Sequence, residues 1–109
     1  MKLLVCIPTY NEVESIEKII YAGFKYLDST TCEKSDILII DDNSPDGTAG
    51  IVEKLIEVFK DRLHILNRTK KEGLAGAYLA GFDWGLSRGY DIFLEMDADF
   101  SHDPKYISG

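Results

Sequence analysis

Four short, nearly unbroken apolar runs constrain the fold of this chain more than any other feature: residues 3–7, 37–40, 63–66 (interrupted only by His64) and 92–96, all rich in Ile, Leu and Val. Continuous rather than alternating hydrophobicity marks strands covered on both faces. Segments of helical period lie between them. In the first, Ile16, Ile19, Ile20, Gly23, Phe24 and Leu27 share one stripe, with Glu14, Glu17, Lys18 and Lys25 opposite, and Asn11 followed by Glu14 has the spacing of a capping box. The second places Val52, Leu55, Ile56 and Phe59 on a stripe, with Ser44 predicted as N-cap and Pro45 at the first helical position. The third, over residues 73–87, aligns Leu74, Ala77, Tyr78, Gly81, Phe82 and Gly85, its glycines permitting close approach to a sheet. Strands alternating with helices through short connections dictate right-handed βαβ units. The expected fold class is therefore α/β, a Rossmann-like parallel sheet with helices on both faces, in the order β-α-β-α-β-α-β.

At 109 residues the chain is one domain, long enough to bury roughly 65% of its unfolded surface. The residues after 104 begin what reads as another element, so the chain is expected to be the first part of a longer protein whose C-terminal portion lies elsewhere. A formal charge of -7 leaves no basic field for a phosphate backbone and excludes nucleic acid as partner. No stretch approaches the ~18 apolar residues of a membrane span, and the run before Pro8 is too short for a secretory signal. A soluble, cytoplasmic protein is expected, with Cys6 and Cys32 as reduced thiols. The two Cys and two His (His64, His102) lack zinc-ligand spacing.

Ligands of open parallel sheets bind outside the carboxyl ends of the strands. Four loops belong there: residues 8–12, 41–47, 67–72 and 97–99. Asp41, Asp42, Asp46, Asp97, Asp99 and Glu12, six of the nineteen acids, fall on that edge, and such crowding needs a cation or hydrogen-bond donors to offset it. Asp97-Ala98-Asp99 is the sharpest signal, because i, i+2 carboxylates in extended chain face the same way and offer hard oxygens suited to Mg²⁺ or Mn²⁺; plain turn chemistry is the alternative. Residues 41–47 also read as a turn and helix cap, although a carboxylate at Asp42 is placed to accept N–H groups from a nucleobase. Tyr10 is either a rim aromatic or a flat wall on which a base stacks. Arg68, Lys70 and Lys71 form the basic cluster of this edge, read as a solvated face or as support for a diphosphate near Gly73. Trp84 and Phe82 read as helix packing, and His102 and Asp103 as turn residues.

Two competing sites are disfavoured by motif placement. The first turn lacks Gly-x-Gly-x-x-Gly, which removes NAD or FAD, and no Walker-type phosphate loop is present. A phosphorylatable receiver module would carry its acidic pair after the first strand and an Asp after the third. Here the pair follows the second, and residues 67–72 contain no Asp.

Residues 7–12 (Ile-Pro-Thr-Tyr-Asn-Glu), 39–48 (Ile-Ile-Asp-Asp-Asn-Ser-Pro-Asp-Gly-Thr), Gly73-Leu74 with Ala77 and Gly81, and 96–104 (Met-Asp-Ala-Asp-Phe-Ser-His-Asp-Pro) together resemble the inverting family 2 glycosyltransferases of GT-A fold, nearest the polyprenyl-phosphate mannose synthases. The resemblance spans essentially the whole chain. It implies transfer of mannose from GDP-mannose to a polyprenyl or dolichyl phosphate, with UDP-glucose as the alternative donor and a non-catalytic nucleotide-binding module as the alternative class. It further implies that Pro8, Tyr10 and Glu12 line the nucleotide, that Ile40 and Asp42 contact the base, and that Asp97, Ala98 and Asp99 hold ribose, diphosphate and metal. Ser101, where some relatives carry Gln, is a weaker third metal ligand. Asp97 and Asp99 are thus the expected catalytic residues and Mg²⁺ or Mn²⁺ the cofactor. Membrane contact is expected only through the lipid acceptor or the C-terminal remainder, at the cytoplasmic face of a membrane.

Overall fold

The computed structural model describes residues 2–29, 34–42, 44–68 and 74–96. Each apolar run forms a strand: β1 (Lys2–Thr9), β2 (Lys34–Asp41), β3 (Leu63–Asn67) and β4 (Ile92–Glu95). The helical stripes become α1 (Ile16–Leu27), α2 (Thr48–Phe59) and α3 (Leu74–Leu86), and a 3-10 turn, Lys60–Arg62, leads from α2 into β3. All pairings are parallel, in the order β3-β2-β1-β4. The α/β expectation holds, with one refinement. Among the described residues β1 and β2 are buried along most of their length, whereas β3 and β4, with one described strand neighbour each, are largely half-buried.

Side chains alternate between two cores. Leu3, Val5, Ile7, Ile37, Ile39 and Leu63 pack with the stripes of α1 and α2 on one face, while Leu4, Cys6, Leu38 and Ile40 meet Ala77 and Tyr78 of α3 on the other. The glycines of α3 allow this second contact. A Cβ on Gly81 would stand 2.6 Å from Ile40 Cδ1 and 3.2 Å from Cys6 Sγ, and one on Gly85 2.4 Å from Phe93 Cε1. Phe82 and Trp84 pack on the same core, as expected. No helix among the described residues is long and apolar enough to cross a membrane.

Cys6 is completely buried beneath α3. Desolvation, with a smaller contribution from the Glu95 charge, pushes its thiol up to about 12, so the reactive thiolate is essentially absent at neutral pH. In a Cys32→Ser background, Cys6 is expected to react with a thiol-specific reagent at pH 8 only at the rate of global unfolding; rapid labelling of the native protein would show that the α3 core opens locally.

The amino ends of the strands carry a polar arrangement that the sequence reading did not single out. Asp36 on β2 is fully buried and accepts a hydrogen bond from the Tyr90 hydroxyl, with Lys34 Nζ at 3.7 Å. Burial first, and the Asp36 carboxylate next, hold the Tyr90 phenol well above its ordinary range. His64 lies on the same side of the sheet against Trp84, ring centroids 5.0 Å apart, and burial lowers its pKa.

Candidate functional site

The strand order defines where a ligand belongs. From β1 the chain steps through β2 to β3 along one face, crosses back under the other face as α3, and lays β4 on the opposite side of β1. The reversal lies between β1 and β4, and crevices in doubly wound sheets open at such a point beyond the carboxyl ends. Thr9 aligns with Asp41 and Asp41 with Asn67, so β1, β2 and β3 end level. On the other side Cys6 pairs with Glu95, and the Met96 N–H donates to the Cys6 carbonyl at 3.1 Å. Asp97 is the next residue in the chain. Asp97, Ala98, Asp99 and Ser101 themselves lie outside the described residues, as do Asn43, Lys70, Lys71, Gly73, His102 and Asp103.

The described acids of this rim are not equivalent. Asp41, 1% exposed, is spent within the protein: its Oδ1 accepts from the hydroxyls of Thr9 (2.8 Å) and Ser44 (2.7 Å), and its Oδ2 from the Ser44 N–H (3.0 Å). Asp46 is exposed, yet its Oδ1 accepts from the Thr48 hydroxyl (2.5 Å) and N–H (3.1 Å), and its Oδ2 from the Val13 N–H (3.2 Å). The Thr48 hydroxyl, ahead of those backbone donors, holds the Asp46 carboxyl below its ordinary range. Asp42 is buried, with Oδ1 3.5 Å from Arg68 Nη1, and the Arg68 N–H donates to the Asp41 carbonyl at 2.8 Å. Crowding at this edge is therefore relieved largely by the protein's own donors at Asp41, Asp42 and Asp46, the second of the two expected ways of offsetting it. Arg68 likewise belongs to the site's framework and not to a solvated basic face. Among the described residues no group of three or more His, Cys, Asp or Glu is arranged to hold a metal ion.

Two helix starts also differ from expectation. Asn11 is no N-cap: it takes a left-handed φ of 57°, and α1 begins after Ser15, where the Glu12 carbonyl accepts from the N–H groups of Ser15 (3.1 Å) and Ile16 (2.8 Å). Ser44 does not cap α2, which starts at Thr48 after Gly47 at φ 92°. Instead, three consecutive N–H groups of the first loop point across to the second: Asn11 to Ser44 Oγ (2.9 Å), Glu12 to Thr48 Oγ1 (3.0 Å) and Val13 to Asp46 Oδ2 (3.2 Å). Successive N–H groups of this kind form an anion-binding concavity in many phosphate sites. Here they donate to the protein's own oxygens, in keeping with the missing glycine fingerprint.

What the rim presents at this end is Tyr10, 38% exposed, beside half-buried Pro8 and Glu12. A cleft of about 280 Å³ lies against Asn11, Glu12, Val13, Glu14, Ser15 and Asp46. Ile40, expected at the base, is completely enclosed with its side chain directed at Gly81. Its side chain is core, and the buried carboxylate just past the end of the same strand is Asp42, two residues on.

Known proteins agree with this geometry. The glycosyl transferase family 2 profile matches residues 4–109. A polyprenol monophosphomannose synthase of Mycolicibacterium smegmatis is 48% identical over 107 residues, covering 98% of this chain and 38% of the relative. An undecaprenyl-phosphate mannosyltransferase of Micrococcus luteus is 46% identical over 108 residues, covering 98% of this chain and 42% of the relative. The chain thus spans about two fifths of the curated relatives it matches. Among solved structures, a mannosyltransferase from Pyrobaculum calidifontis in complex with GDP-Man and Mn²⁺ superposes with a TM-score of 0.70 at 28% identity, over 89% of this chain and 27% of that one. Sequence, strand order and relatives converge on one assignment: the chain belongs to glycosyl transferase family 2.

Proposed function

We propose that this chain is the donor-binding portion of an inverting mannosyltransferase that moves mannose from GDP-mannose to a polyprenyl phosphate. The observation that carries the donor reading is the rim itself, a carboxylate-lined edge at the strand-order reversal whose first-loop N–H groups are already consumed. Such an edge suits a ligand recognised through its base and a cation-bound diphosphate better than a bare phosphate. Mannose and the lipid acceptor rest on the two relatives, both named as mannosyl transferases to polyprenyl phosphates.

In this reading Tyr10 supplies a flat wall for the base. Asp42, held by Arg68, accepts the adjacent N1–H and N2–H donors of guanine, where uracil would offer a single N–H. Asp97 and Asp99, with Ser101 as a weaker third oxygen, would hold Mg²⁺ or Mn²⁺; their hard oxygens fit such an ion, and the other rim aspartates are engaged elsewhere. When bound, the cation neutralises charge on the leaving diphosphate. The acceptor oxygen bonds to the sugar C1 as the bond from C1 to the donor diphosphate breaks. A phosphomonoester is ionised at neutral pH, so no side chain is asked to act as a strong base. We place the full-length protein at the cytoplasmic face of a membrane, where its lipid acceptor would be reached.

GDP-mannose with Mn²⁺ is expected to raise the thermal unfolding midpoint of the full-length protein. At ~100 times Kd the stabilisation is about 2.7 kcal/mol, on the order of 5–10 °C. UDP-glucose should give a much smaller shift, and labelled mannose should appear on polyprenyl phosphate. Equal protection by UDP-glucose would overturn the guanine assignment, and no shift with either nucleotide would overturn the donor reading.

A further inference from the structure

Residues 10–13 are tied to the rest of the fold by hydrogen bonds that reach across to the second loop and forward to the start of α1. A positive φ costs an ordinary L-residue roughly 1–2 kcal/mol and Asn less, and a single such conformation is fixed where its surroundings over-determine it. Asn11 sits at φ 57° between Tyr10 and Glu12, and the surroundings that hold it include Ser44, Asp46 and Thr48 on the opposite loop. Thr48 is completely buried and the Asp46 carboxylate is open to solvent. Their hydrogen bonds are directional as a set. Asp46 Oδ1 takes the Thr48 hydroxyl proton at 2.5 Å, so Thr48 Oγ1 must turn a lone pair to the Glu12 N–H at 3.0 Å. The other Asp46 oxygen takes the Val13 N–H directly. A negative charge at the start of α2 is further favoured by the helix dipole.

We propose that Asp46 and Thr48 are positioning residues: a clamp that holds the first loop in the one conformation that presents Tyr10 and Glu12 to the nucleotide-sugar, a role that rests on the donor reading above. Both act through the loop that they hold, Thr48 from a fully buried position. Their loss loosens the loop and lowers donor affinity without changing the chemistry once the donor is bound.

The test uses the full-length protein with GDP-mannose, Mn²⁺ and polyprenyl phosphate. Thr48→Val, which keeps the shape and removes the hydroxyl, is expected to raise KM for GDP-mannose about tenfold, the size of one lost hydrogen bond, with kcat within about twofold, as for a loss of uniform binding. Thr48→Ser restores the hydroxyl and should bring KM back to within about threefold of the wild-type value. Asp46→Ala lies on an exposed residue, so it retains the fold even if Thr48→Val does not, and should reproduce the KM effect. It should also speed amide exchange at Glu12 and Val13 while sparing core amides of β1. A wild-type KM in both Thr48→Val and Asp46→Ala overturns the clamp. So does a fall in kcat at unchanged KM, or a Thr48→Ser protein as impaired as Thr48→Val. If instead the wild-type protein fails to bind GDP-mannose, the donor reading falls and the clamp's donor role falls with it.

Discussion

Asp99→Asn in the full-length protein is expected to lower mannosyl transfer by at least about 100-fold and to abolish the thermal protection given by GDP-mannose with Mn²⁺. Asn preserves the size of the side chain and one oxygen but removes the charge. On the proposed role the lost charge is half of a cation-holding pair, and electrostatic stabilisation at a developing anion is commonly worth roughly 3 kcal/mol or more, a factor on the order of 100. The unfolding midpoint without ligand should hardly move, since the duty proposed for Asp99 is to hold the cation and not the fold. A variant that keeps more than about a tenth of the wild-type rate would remove Asp99 from the cation site. A variant unstable even without ligand would give it a structural duty instead.

Asp41→Ala should do the opposite, damaging the fold before the chemistry. The carboxylate is almost fully buried and accepts three hydrogen bonds. Its removal leaves the Thr9 hydroxyl and two Ser44 donors to find other partners. At about 1 kcal/mol for each bond, with the added penalty of donors left in a dry site, the loss is on the order of 3–5 kcal/mol. That is a large share of the roughly 5–15 kcal/mol that holds a domain together. Asp41→Asn keeps the shape and an acceptor and should cost about half as much. Urea unfolding of the two variants checks the ranking, and a loss below about 1 kcal/mol for Asp41→Ala would mean that the loop is held by other contacts.

The strands were legible because burial on both faces writes itself as unbroken runs of Ile, Leu and Val, and the helices because one stripe of each must be apolar. Gly81 and Gly85 were legible as close-approach positions for the same reason. The helix starts were not. Asn11 and Ser44 belong to the residue types that serve equally as caps and as local hydrogen-bonding partners in turns. Which use prevails depends on a loop more than thirty residues away. The same distance hid the Asp42–Arg68 pair, whose members look like an acidic turn and a solvated basic run until β2 and β3 are laid side by side. Asp36 escaped notice because a carboxylate near the start of a strand resembles ordinary edge polarity, and its Tyr90 partner is 54 residues on. For Ile40 the motif marks a position beside the site, while strand alternation turns its side chain toward α3.

The strand order also bears on how the protein is made. β1 emerges first, yet one of its two edges stays open until β4 arrives, and the contact that seats them joins Lys2 to Asp91, 89 residues apart. Pairing over such a separation is slow, because the loop-closure cost comes before the contacts that reward it. A nascent chain that has not yet released β4 therefore carries a bare, strongly apolar strand edge, the kind that invites association with other chains. The strand that seals this edge is also the one that leads into Asp97. Completion of the sheet and completion of the rim are a single late event, and a ligand that spans β1 and β4 would act as a fastener for the newly folded chain.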